Sequence, residues 1–242
     1  MKTLSTLIIS AMVVVSGCIN DYYEKPCLRG NNNIITQTRS VELFGEIDSE
    51  IFGDLNIVIT DMPNNEITIT GESNIINEIT TEVVNGRLKV DACHCLRFHK
   101  RLSITMNTDQ LNYLRLKGAG NAWVTGLNRT DDMKVAITGT GEITMDNIET
   151  NRLHALITGE GEITTSGSVI EQQIYITGIG HYYGYDTQAD ITDVSITGTG
   201  SVYVATNEIL DVRIDGVGTV KYKGDPQVNV RAVLTGKVIK EG

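Results

Sequence analysis

Proline occurs three times and tryptophan once in the 242 residues, and aromatic side chains make up 5% of the chain. So few rings exclude a core built on aromatic packing and leave little on which nucleobases could stack. Basic residues are outnumbered 20 to 30, for a net charge of −10. A surface of that sign repels phosphate backbones, so nucleic acid is excluded as a partner. Beyond Val15 no apolar run is long enough to cross a bilayer as a helix. Helical periodicity is nearly missing too: only Ile75, Ile76, Ile79 and Val83, following Ser73, suggest a short helix within Ser73 to Val84, and Thr80 and Thr81 dilute it. No serine sits in a nucleophile elbow, and no glycine pair opens a helix as a nucleotide loop would require. The glycine and aspartate nonapeptide of calcium-binding solenoids is absent as well.

Glycine, by contrast, is plentiful, with 24 copies, and it is periodic. The segments Leu116-Lys117-Gly118-Ala119-Gly120, Ile137-Thr138-Gly139-Thr140-Gly141, Ile157-Thr158-Gly159-Glu160-Gly161, Ile176-Thr177-Gly178-Ile179-Gly180, Ile196-Thr197-Gly198-Thr199-Gly200 and Ile214-Asp215-Gly216-Val217-Gly218 are copies of one unit, closed by Leu234-Thr235-Gly236. Their first glycines lie 21, 20, 19, 20, 18 and 20 residues apart. Such spacing predicts a solenoid whose coils share one core. Valine, isoleucine and threonine alternate with polar residues between the glycines, so the coils are made of strands. The fold class is therefore all-β: a right-handed parallel β-helix (β-solenoid) with about 20 residues per coil. Its glycines are corners, where positive φ or close backbone approach is needed.

Aligning the copies sorts the remaining positions. Pairs such as Val135 with Ile137 and Val194 with Ile196 point inward before the corner, and Ile143 with Met145 and Val202 with Val204 point inward after it. Leu127, Ile148, Val169, Ala189 and Ile209 suggest a third inward set. Outward after the second glycine run Asn121, Glu142, Glu162, His181, Ser201 and Thr219, and beside them Trp123, Thr144, Thr164, Tyr183, Tyr203 and Lys221. Trp123, Tyr183 and Tyr203 are candidate glycan contacts, because outward rings stack on sugars. Glu142 and Glu162, on adjacent rungs ~5 Å apart, have the separation of a retaining glycosidase pair, although sheet geometry alone also creates such pairs.

The N-terminus carries a different message. Lys2 precedes an apolar run from Leu4 to Val15, read as an export signal. The following Val15-Ser16-Gly17-Cys18 resembles the lipobox of bacterial lipoproteins, which implies that residues 1–17 are removed and that Cys18 is lipidated. A membrane partner then follows through the lipid on Cys18. Ile19 in place of aspartate favours the outer membrane within a lipid-anchored cell-envelope location. Residues 18–40, rich in asparagine and tyrosine, read as a flexible tether. In an oxidising compartment, Cys27 is expected to pair with Cys93 or Cys95. Cys93-His94-Cys95 with His99 lacks a second paired cluster, so no metal and no cofactor are predicted.

With the lipobox, Phe44-Gly45-Glu46-Ile47-Asp48, Leu55-Asn56-Ile57-Val58-Ile59, Ile67-Thr68-Ile69-Thr70-Gly71-Glu72, Asn85-Gly86-Arg87-Leu88-Lys89-Val90 and the Ile-Thr-Gly-x-Gly coils, the chain resembles the putative auto-transporter adhesin, head GIN domain family. The resemblance covers residues 41–242: a less regular β part at 41–116, then regular coils at 117–242. It implies a lipid-anchored β-helical envelope protein, with no catalytic residue set to carry over. The expected role is a non-catalytic binding module, an adhesin presenting its β-helical surface to a glycan or protein. Two alternatives stand beside it: a polysaccharide-processing β-helix enzyme using Glu142 and Glu162, and a purely structural envelope protein.

Overall fold

The computed structural model describes residues 27–97, 100–232 and 235–241. Its first part comprises β1 (Ile34–Ser40), β2 (Glu46–Ser49), β3 (Gly53–Ile59), β4 (Glu66–Glu72), the one-turn helix α1 (Ser73–Ile76), β5 (Ile79–Val84), β6 (Arg87–Ala92) and β7 (Leu102–Thr108). The coils follow: β8 (Tyr113–Leu116), β9 (Ala119–Thr125), β10 (Asn128–Ile137), β11 (Thr140–Ile157), β12 (Glu160–Ile176), β13 (Ile179–Ile196), β14 (Thr199–Ile214), β15 (Val217–Lys223), β16 (Gln227–Ala232) and β17 (Thr235–Lys240). They build a β-solenoid of about six turns, with about 20 residues per turn.

Every coil-to-coil pairing is parallel, and the glycine corners stay in register. Ile137, Ile157, Ile176, Ile196 and Ile214 are register partners and form a buried column down the core. Each buried isoleucine contributes roughly 1.5–3 kcal/mol relative to exposure. Variation in coil length is absorbed away from the glycines, by irregularities between Met145 and Ile148, Thr164 and Ser166, and Gly184 and Gln188.

The N-terminal part contains a coil that the glycine repeat does not announce. β2 is parallel to β8 and β3 is parallel to β9, with Ile47 opposite Leu114 and Ile57 opposite Val124. Residues 46–59 are thus the first turn of the solenoid, and Phe52 bridges Ala119 at the position of the corner. The 60–112 excursion then doubles back to cover this end. β6 pairs with the far side of β2, β7 with the far side of β3, and β4 and β1 extend the sheet antiparallel beyond β7.

Three expectations need correction. The helix within Ser73 to Val84 is a single turn, because Thr80, Thr81, Val83 and Val84 fit an extended backbone and pair antiparallel with β6 around the Asn85-Gly86 turn. The proposed tether of 18–40 is structured from Cys27 onward within the described residues: β1 pairs with β4 over its full length. Both of its faces are largely exposed, so the backbone ladder, the Thr36–Thr70 hydroxyl bond of 3.0 Å and the Arg39 bonds to the Ile76 and Ile79 carbonyls hold it. It therefore has no apolar alternation to read. Third, Leu127 is not inward but 39% exposed. Asn128 takes that place, fully buried, accepting from the Leu111 N–H and donating to the Leu111 carbonyl, each at 2.9 Å. A similar one-residue slip puts Leu210 rather than Ile209 in the core.

The core also contains a polar chain. Tyr182 is fully buried; its hydroxyl lies 2.7 Å from Thr165 Oγ1 and donates to Gln172 Oε1 at 3.1 Å. Gln172 donates onward to Thr192, which bonds Thr206. Tyr182→Phe should cost about 1–3 kcal/mol in urea unfolding by stranding those partners. Burial pushes the Tyr182 phenol up to about 12, above its ordinary 10.0. The unfolded chain therefore ionises there first, and stability should fall as pH climbs from 10.0 toward 12. Tyr182→Phe should lack that component of the pH dependence.

Candidate functional site

The glycine corners are closed to ligands by their own hydrogen bonds. At the five corners from Gly139 to Gly216, two successive N–H groups donate to a single carbonyl of the preceding coil, as Thr158 and Gly159 to Ile137, Thr177 and Gly178 to Ile157, and Thr197 and Gly198 to Ile176. With those donors used, the corners cannot cradle an anion as a phosphate loop does. Chemistry is left to side chains on the outer face.

On that face the strands following the corners hold both outward columns in register. Asn121, Glu142, Glu162, His181, Ser201 and Thr219 are successive partners, and so are Trp123, Thr144, Thr164, Tyr183, Tyr203 and Lys221. Trp123, 37% exposed, is not beside the tyrosines: Thr144 and Thr164 separate them. Tyr183 and Tyr203 are stacked, with centroids 5.1 Å apart and planes at 14°. Tyr185 meets Tyr203 edge-on at 5.5 Å. Tyr185 joins this group although its coil irregularity hides its position from the repeat. Cations adjoin the rings, Lys223 4.4 Å from the Tyr185 centroid and Lys221 5.7 Å from that of Tyr203. Glu241 fastens the cluster, accepting from the Tyr185 hydroxyl and from Lys221 at 2.6 Å each. Burial, and then the Glu162 carboxylate, push the Tyr183 phenol up.

Glu142 and Glu162 are direct register partners on adjacent strands, as the repeat predicts. Neither lines the shallow groove of about 690 Å³ that crosses a different corner of the solenoid. That groove, missed by the repeat because it follows the irregular offsets, is bordered by Asp131, Asn151, Ile170, Asp190 and Asn207. Its polar groups are engaged with each other: Asn151 donates to Asp131 and Asn207 to Asp190, each at 3.1 Å, while Arg129 pairs with Glu149 at 2.7 Å. Nearby, the Arg152 guanidinium holds the Asp132 carboxyl below its usual range.

At the opposite end, Cys27 and Cys95 form a disulfide with Cα atoms 4.5 Å apart. The Leu28 N–H donates to the Cys95 carbonyl at 2.7 Å, fixing the segment next to the cap. His94 contacts Glu78 at 2.5 Å. No group of metal-ligating side chains is present among the described residues. Cys18, the export signal at 1–17 and His99 lie outside the described residues.

Solved structures share this architecture. A putative adhesin from Bacteroides fragilis NCTC 9343 matches with a TM-score of 0.80 and 22% identity, over 88% of this chain and 100% of that one. A putative lipid binding protein from Parabacteroides distasonis ATCC 8503 matches at 0.72 and 21%, over 90% and 100%. A putative adhesin from Parabacteroides merdae ATCC 43184 matches at 0.67 and 20%, over 89% and 99%. At these identities the likeness establishes the fold. No curated protein matches the chain. The family model described as putative auto-transporter adhesin, head GIN domain matches residues 44–226, and the chain belongs to that family.

Proposed function

We propose that this chain is a non-catalytic binding module of the bacterial cell envelope, lipid-anchored through Cys18 in the outer membrane, which presents the strands following its glycine corners to a glycan. The observation that carries this reading is that Trp123 and Tyr183 stand on one outward column, Tyr183 backed by the stacked ring of Tyr203, in a chain with only 5% aromatic residues. Rings gathered on an outer face rather than in the core offer amphipathic contact area to sugars. The anchor is supported by Lys2, the apolar run to Val15 and Ser16-Gly17-Cys18.

Binding is tested by glycan-array retention of the wild type against Trp123→Ala combined with Tyr183→Ala. The pair should lower retention by about fivefold to a hundredfold, since each ring contact contributes roughly 0.5–1.5 kcal/mol. Unchanged retention would remove these residues from the site. In cell fractionation Cys18→Ser should move the protein from membrane to soluble fractions, and persistent membrane retention would sink the anchor.

A further inference from the structure

We propose that the sugar-contacting element is a short trough with Thr144 and Thr164 as its floor and Trp123 and Tyr183 as its ends, and that it takes uncharged sugar chains in preference to uronate-bearing ones. This rests on the glycan reading above and narrows it to one place and one ligand class.

The narrowing comes from which ring faces are free. Tyr203 has Tyr183 stacked on it, Tyr185 against it edge-on and the Lys221 ammonium 5.7 Å from its centroid. Tyr185 carries Lys223 at 4.4 Å. Both rings are thus already engaged by ring or cation partners. Tyr183 has Tyr203 stacked on one side and the His181 ring tilted beside it with centroids 6.1 Å apart, but its register partner on the other side is Thr164, too short a side chain to cover a ring. Beyond Thr164 come Thr144 and then the exposed Trp123. Three strand spacings separate the two aromatic residues, about 14 Å, enough for a short oligosaccharide lying along the solenoid axis. The threonines supply methyl groups and hydroxyls as its floor. Tyr203 becomes a positioning residue that props Tyr183 upright.

Charge selects the ligand class. The column beside the floor carries Glu142 and Glu162, and the influence of Glu162 reaches the Tyr183 phenol. Neither carboxylate has an ion-pair partner among the described residues. Each can accept hydrogen bonds from sugar hydroxyls. Both repel a carboxylated sugar seated on the threonines.

The test is an array of neutral gluco-, manno-, xylo- and galacto-oligosaccharides printed beside oligogalacturonates and probed with the purified chain. The wild type should retain neutral members at least about tenfold better than uronates. Thr164→Tyr, which fills the floor from an outward strand position, and Tyr183→Ala, which removes one end, should each lower neutral retention about two- to tenfold, with the circular dichroism of the wild type kept. Glu142→Gln combined with Glu162→Gln should raise uronate retention several-fold. Uronate retention equal to neutral retention in the wild type, or neutral retention unchanged by both Thr164→Tyr and Tyr183→Ala, would overturn the trough while leaving a glycan-binding protein. If the wild type retains no glycan at all, the glycan reading falls and the trough with it.

Discussion

Gly159→Ala is expected to destabilise the solenoid by about 3–5 kcal/mol, read as a lower urea midpoint at unchanged slope. A Cβ at this corner would overlap the Gly139 carbonyl oxygen of the coil below and lie 2.9 Å from its carbonyl carbon. Both neighbours are backbone, so neither can turn aside as a side chain would. Relief requires the coils to part, which stretches the Gly159 N–H bond to Ile137 and the Glu160 N–H bond to Gly139. The same obstruction recurs at Gly139, Gly178, Gly198 and Gly216, each against the corner one coil earlier. A useful contrast is Gly86, whose φ of +75° sits in the hairpin turn with nothing within 4 Å of a Cβ. Gly86→Ala should cost only the left-handed backbone penalty of about 1–2 kcal/mol. Were Gly159→Ala to unfold within about 1 kcal/mol of the wild type, close approach could not be why glycine occupies the corners.

Removing the Cys27–Cys95 bridge should be of similar size. The bond spans a sequence separation of 68, and in the chain-entropy model closing such a loop stabilises by about 4 kcal/mol. The double variant Cys27→Ser with Cys95→Ser should therefore unfold at clearly lower urea under non-reducing conditions. Its loss should also be visible locally. β1 is the outermost strand beyond β4 and buries little, so its amides should lose hydrogen-exchange protection before those of β11 to β13. Wild-type protection of β1 and an unchanged midpoint would refute this role.

The regular coils could be read from the sequence because two signals coincide at each turn: a glycine that backbone contact demands, and isoleucines whose burial fixes the face. Where either signal lapses, legibility lapses with it. The first coil was hidden because Ile51-Phe52-Gly53 stands where later coils carry Gly-x-Gly, and because 60–112 separates it from the coil on which it stacks. Asn128 rather than Leu127 faces inward because its burial depends on the backbone of Leu111, a partner that local patterning cannot reveal. The outer columns followed directly from the register, so Trp123, Tyr183 and Tyr203 could be placed on one face. Which ring faces are covered could not be read, since that depends on Tyr185, Lys221 and Lys223 closing in from irregular or neighbouring positions.

The bridge at Cys27 also decides how the molecule carries load. A pull on the chain ahead of Cys27 passes through the sulfurs to Cys95 and continues along the backbone toward β7. The backbone of β1 to β6 lies inside the covalent loop and is bypassed by that tension, which enters the fold at β7. The outer strands β1, β4 and β5 can thus shield the end of the stack without serving as the handle by which it is peeled open.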